Sequence, residues 1–171
     1  YDLRFDGAGQ PRADFVLNQP AFAGVDVLIA GSNFGCGSSR EHAVWGMQQY
    51  GLKAVVASSF GEIFYSNALN NRLLLAMVDE ADVQAFVAEA AAQPGPLSLT
   101  IDVSQRVVRS PGHSAGFVLS DRHQRMFVQG LDVIGASLTY AEHIRAFADR
   151  HWAAQPWVRD VARRTRDRLA G

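Results

Sequence analysis

The sequence carries a single cysteine, Cys36, in 171 residues. One thiol cannot close an internal disulfide, and alone it cannot ligate an iron–sulfur cluster or a structural zinc ion. Any cluster needed for chemistry must then come from another chain. No apolar run approaches the ~20 residues that span a bilayer. Nor is there a basic-then-apolar leader, so a cytoplasmic protein without membrane attachment is expected. An excess of one charge sign is missing too. Sixteen Lys and Arg against 17 Asp and Glu give a net charge of −1, which supplies no long-range attraction for nucleic acid. GxGxxG and GK[ST] patterns are absent, which argues against a nucleotide. Asn67, His113, His123, His143 and His151 lack metal-ligand spacing, so no metal is expected on this chain. Cys36 has no His–Asn or His–Asp pattern beside it and reads as a small loop residue rather than a nucleophile.

Nearly half the residues, 48%, are apolar, enough at this length for a sizeable core. Asp6 to Pro11 is turn chemistry. A β-α-β-α-β rhythm then starts with the apolar run Val25–Ala30. A helix is predicted from about Ser39 to Tyr50, stopped by Gly51. Ala54–Ala57 is the next strand, followed by a helix from the Ser59–Glu62 capping box to about Asn70. Leu73–Val78 is the third strand. Continuous apolar strands joined by helices predict a parallel sheet.

Asp79 starts a helix with Val83, Phe86, Val87 and Ala90 at inward spacing. After Pro94-Gly95-Pro96 the period changes. Leu97–Val103 alternates, Arg106–Arg109 follows, and Phe117–Leu119 reads as a third short strand. Together they predict a smaller antiparallel sheet. Asp121 opens a short helix ending at Gly130. A capping box at Thr139–Glu142 opens another, with Ile144 and Phe147 inward. Beyond Pro156 an arginine-rich helix is predicted over 157–169, a solvated face or, alternatively, a basic partner surface.

The chemistry concentrates in a glycine-dense loop, Gly31 to Gly37, between the first strand and its helix. Ser38 and Glu41 have capping-box spacing. A strand, a glycine loop and a helix start leave backbone N–H groups converging on one spot, which attracts anions. Arg40 adds a two-pronged donor suited to a carboxylate or phosphate. On residues alone, Ser38 is as readily a helix cap as a reactive hydroxyl. Arg40 could pair with Glu41, Ser39 could be a first-turn helix residue, and Gly35 and Gly37 could serve only the turn. His42 reads as structural.

The run Asn33-Phe34-Gly35-Cys36-Gly37-Ser38-Ser39-Arg40-Glu41-His42-Ala43 resembles the small subunits of 3-isopropylmalate dehydratase, the aconitase swivelling-domain family. Asp14–Asn18, Tyr50-Gly51, Ser59-Phe60, Ile63-Phe64-Tyr65, Asn67, Asn70-Asn71, Leu73-Leu74 and Gly130–Gly135 continue the resemblance. Leu75 stands where the family usually has proline. The family's Asp-Thr-Asp motif and Ile-Ile-Pro run are expected before Tyr1.

The resemblance implies a three-layer β/β/α domain over residues 1–155; the helical extension over 156–171 runs beyond the family's usual end. The resemblance also implies a large-subunit partner carrying an iron–sulfur cluster, none being bound by this chain. The expected reaction is isomerisation of 2-isopropylmalate to 3-isopropylmalate by dehydration and rehydration in leucine biosynthesis. Ser38 is the implied catalytic base; Ser39, Arg40, Gly35 and Gly37 are the implied substrate contacts. A homoaconitase-type or other 2-hydroxy-dicarboxylate hydro-lyase, and a non-catalytic anion-binding module, are the alternatives.

Overall fold

The computed structural model describes residues 4–170, in two compact units, 4–132 and 133–170. In the first, a parallel sheet is built from β1 (Val27–Ile29), β2 (Ala54–Ala57) and β3 (Leu74–Met77), in that spatial order. Val27 pairs with Ala54, and Ala54 with Leu74. The central strand is buried at every residue, whereas the edge strand β1 is only half-buried. This explains why β2 reads as an unbroken apolar run.

Helices α1 (His42–Tyr50) and α2 (Glu62–Asn70) provide the two crossovers, and α3 (Glu80–Ala91), which follows β3, packs against β1 and β2. Gly51 and Gly130 stop their helices in the left-handed region, at φ 116° and 68°, the geometry glycine adopts without steric cost. The antiparallel sheet comprises β4 (Thr100–Asp102), β5 (Val107–Arg109) and β6 (Ser114–Gly116). Val108 and Ala115 face each other in its register and join Phe64, Leu69, Leu75 and Phe86 in one core. Helices and both sheets thus share a single apolar interior.

The third antiparallel strand lies a few residues earlier than Phe117–Leu119. Ala115, Phe117 and Leu119 are all buried at period 2, but the hydrogen-bonding partner changes along the way. Val118 donates its N–H to the Met77 carbonyl at 2.9 Å, a bridge between the two sheets. Near the start of the unit, Tyr50 donates its hydroxyl to the Leu17 carbonyl at 2.8 Å. Arg4 stacks over the Tyr50 ring at 4.9 Å. These contacts tie the irregular opening segment to the end of α1.

A helix α4 (Asp121–Gln129) follows, capped by Ser120, whose hydroxyl accepts the His123 N–H. Burial, helped by the nearby positive charge of Arg122, holds the His123 imidazole below its ordinary pKa. The unfolded chain therefore binds more protons than the folded one as pH drops through the ordinary histidine range, near 6.5. Stability from neutral His123 is present above that range and is lost below it. Thermal midpoints measured from pH 7 to 5.5 should fall, and His123→Gln should flatten the decline.

The second unit holds α5 (Val133–Leu138), α6 (Ala141–Ala154), a 3-10 turn at Pro156–Val158 and α7 (Val161–Ala170). Two expectations are corrected here. The helix beyond Pro156 is interrupted, because Asp160 takes a left-handed φ of 57° between the 3-10 turn and α7. Ile144 and Phe147 do not point inward; they are 54% and 61% exposed. Their spacing marks an apolar stripe, but spacing carries no information about what covers it. Arg163 pairs with Asp160, Arg166 with Asp167, and Arg159 stacks over Trp152. Among the described residues, no helix is long and apolar enough to cross a membrane.

Candidate active site

The loop after β1 leaves the sheet at Ala30, whose N–H still donates to the Val56 carbonyl at 2.9 Å. It then runs beside the turn between β2 and α2. Phe34 donates its N–H to the Ser59 carbonyl at 3.1 Å, and Gly61 donates to the Phe34 carbonyl at 2.8 Å. Gly35 has φ 81°, and a Cβ there would lie 2.2 Å from Cγ of Phe64. The Phe64 ring is buried and meets Phe34 edge-on, with centroids 5.5 Å apart. The missing side chain of Gly35 therefore lets the loop settle on the core. A Cβ built on Gly37 would meet nothing within 4 Å, so the backbone next to Ser38 is open to a ligand.

Ser38 is not the helix cap. The helix begins at His42 with Glu41 as N-cap residue, and no side chain caps it. Instead the Ser38 hydroxyl oxygen accepts the Arg40 backbone N–H at 3.2 Å, a tight local turn. Ser38 is half-buried; Ser39 and Arg40 are exposed. Among the described residues, no acceptor is found for the amides of Gly37, Ser38 and Ser39, and no acid pairs with the Arg40 guanidinium. Glu41 is engaged elsewhere, accepting from the Asn71 side chain at 3.2 Å. The arrangement is one hydroxyl oxygen in a local turn, with open amides flanking it in the chain and an unpaired, exposed cation two residues after it. Unpaired amides and a guanidinium are the donors that a carboxylate needs, and a donated N–H lowers the cost of negative charge on a hydroxyl oxygen.

Cys36 is exposed, and its backbone packs against Gly61, where an added Cβ would sit 3.0 Å from Cys36 Cα. His42 lies against the Trp45 ring, centroids 4.9 Å apart. Among the described residues no group of three or more His, Cys, Asp or Glu could hold a metal ion.

Sequence reasoning did not find the supports of this loop. Asn71 accepts from Trp45 Nε1 at 3.1 Å and, through its carbonyl, from Gln48 at 2.7 Å, joining the ends of α1 and α2. Ser59 and Gly61 form the floor. Each works through contacts more than twenty residues distant, which local spacing cannot register. A separate groove of about 580 Å³ runs along the outer edge of β1, lined by Leu17, Phe22, Leu28, Pro96 and Leu99 among others, and it excludes Ser38 to Arg40.

Residues 3–80 match the sequence family described as the aconitase C-terminal domain. The small subunit 1 of 3-isopropylmalate dehydratase from Chromobacterium violaceum is 56% identical over 170 residues, covering 99% of this chain and 80% of the relative. A counterpart from Bordetella pertussis is 44% identical over 155 residues, covering 91% and 77%. The crystal structure of 3-isopropylmalate dehydratase from Methanocaldococcus jannaschii superposes with a TM-score of 0.51 at 26% identity, over 71% of this chain and 68% of that one. The aconitase match spans the whole glycine loop and its floor. With more than half its residues shared across nearly its full length, the chain belongs to the family of 3-isopropylmalate dehydratase small subunits.

Proposed function

We propose that this chain is the small subunit of a 3-isopropylmalate dehydratase and lends a base and a carboxylate clamp to a site that a large subunit completes. The observation that carries the reading is the Ser38–Arg40 turn, where the hydroxyl oxygen receives the backbone N–H of a residue whose exposed guanidinium pairs with no acid among the described residues. A free serine hydroxyl is far too weakly acidic to act as a base. A donated N–H, open neighbouring amides and a cation all lower the cost of negative charge on its oxygen. The Ser38 oxygen, as the alkoxide, would take the proton from the carbon next to a substrate carboxylate and become the hydroxyl, while hydroxide leaves the adjacent carbon. Return of water in the opposite sense gives the isomer. Ser39, Arg40 and the open amide side of Gly37 would hold the carboxylates, with Gly35 setting the loop's height over Phe64.

The iron–sulfur cluster that the resemblance implies does not fit this chain, which has one thiol and, among its described residues, no metal-ligating group. It is assigned to the large subunit. The exposure of Ser39 and Arg40 supports the same division, because a surface loop becomes a dry site only when another surface covers it. The reaction belongs to leucine biosynthesis in the cytoplasm.

Anaerobic co-purification with the cognate large subunit, followed by assay on 2-isopropylmalate, tests the reading. The chain alone should be inactive and the pair active. A pair that forms but dehydrates only other 2-hydroxy-dicarboxylates would reassign the substrate. Within that pair, Arg40→Lys keeps the charge but loses the planar fork. Loss of charge-assisted hydrogen bonds of about 1.5–3 kcal/mol should lower kcat/KM about 10- to 100-fold, chiefly by raising KM.

A further inference from the structure

The loop that presents Ser38 is held in part by a second element. Two of its residues sit in the left-handed region, Asn33 at φ 55° and Gly35 at 81°. For Gly35 this is free of steric cost, whereas Asn33, although asparagine tolerates the region better than most residues with a side chain, bears a modest cost there. Support for it comes from Ser59, in the turn between β2 and α2. Its hydroxyl oxygen accepts the Asn33 N–H at 2.7 Å, and its carbonyl accepts the Phe34 N–H at 3.1 Å. The Asn33 carbonyl in turn accepts the Cys36 N–H at 3.4 Å, closing the turn that delivers the chain to Ser38. Ser59 is half-buried and does not cap α2, whose N-cap residue is Gly61. Its hydroxyl serves the loop.

We infer that Ser59 is a positioning residue for Ser38, fixing Asn33 in its left-handed conformation so that the catalytic hydroxyl keeps its place relative to the Arg40 amide. The inference rests on the reading of Ser38 as base. It goes further by locating the origin of the site's rigidity on a different element. Misplacement of a reacting group by about 1 Å costs on the order of 100-fold in rate, and the loss of one hydrogen bond alone would disturb folding only slightly.

The test is Ser59→Ala and Ser59→Thr in the complex with the large subunit, beside Ser38→Ala. Ser59→Ala should lower kcat about 10- to 100-fold with KM within about twofold, and amide hydrogen exchange over Asn33–Ser38 should quicken. Ser59→Thr keeps the accepting oxygen and should recover most of the rate. A merely structural Ser59 would change the thermal midpoint or assembly and leave kcat per assembled complex intact. That result, or equal loss of kcat in the alanine and threonine variants, overturns the inference. Should Ser59→Ala fail to assemble, Ser59→Cys is read by the same kcat and KM split, since sulfur keeps the size and loses most of the accepting strength. Normal turnover by Ser38→Ala would remove the underlying reading and the inference with it. An inactive Ser38→Ala beside a fully active Ser59→Ala would remove the inference alone.

Discussion

Replacing Ser38 by alanine in the assembled complex is expected to lower kcat by about 10²–10⁴-fold, the range that loss of a positioned base produces. Assembly should survive. Ser38 is half-buried and its hydroxyl makes one hydrogen bond, to the Arg40 amide, so the folding cost is about 1 kcal/mol. Substrate should still bind, because Arg40 and the open amides remain. KM is therefore expected to move far less than kcat. Steady-state assay of the purified mutant complex reads both numbers. A fall in kcat/KM carried by KM alone would recast Ser38 as a binding group.

The largest effect on stability is expected from Gly35→Ala. The new Cβ would lie 2.2, 2.5 and 2.7 Å from three atoms of Phe64, at a backbone φ of 81°. Phe64 is 2% exposed and wedged against Phe34, so neither ring can withdraw without opening the core. Overpacking of this kind costs about 1–3 kcal/mol, and a side chain at left-handed φ adds about 1 more. Together they take a large part of the 5–15 kcal/mol typical of a folded domain. Gly37→Ala is the control, with nothing within 4 Å and no left-handed φ; it should cost well under 1 kcal/mol. Denaturant midpoints of the two variants should differ clearly. Equal midpoints would mean that the loop does not rest on Phe64.

Much of this architecture is legible in the chain because the signals are local. Ala54–Ala57 and Leu73–Val78 are apolar without interruption, and Gly51 and Gly130 stand where helices must stop. The capping boxes fail for one shared reason. Ser38, Ser59 and Thr139 each lie three residues before a glutamate, yet none caps a helix. Ser38 accepts the Arg40 amide, Ser59 accepts the Asn33 amide, and Thr139 donates to the Ala136 carbonyl. A short hydroxyl takes whichever partner lies nearest, two and three residues away for Ser38 and Thr139 but 26 away for Ser59, a distance that spacing along the chain cannot foresee. The residue types at the site, a serine and an arginine after a glycine loop, are visible in one motif. What holds them is not, because Ser59, Gly61 and Asn71 meet the loop and α1 across more than twenty residues of chain.

The central claim concerns where one proton goes. With 2-isopropylmalate deuterated on the carbon next to the departing hydroxyl's carbon, single-turnover release of label into solvent isolates that event from loss of hydroxide. The wild-type complex should release label in step with dehydration, and the Ser38→Ala complex should retain it while still binding substrate. Release of label at the wild-type rate by the alanine complex would show that another group takes the proton.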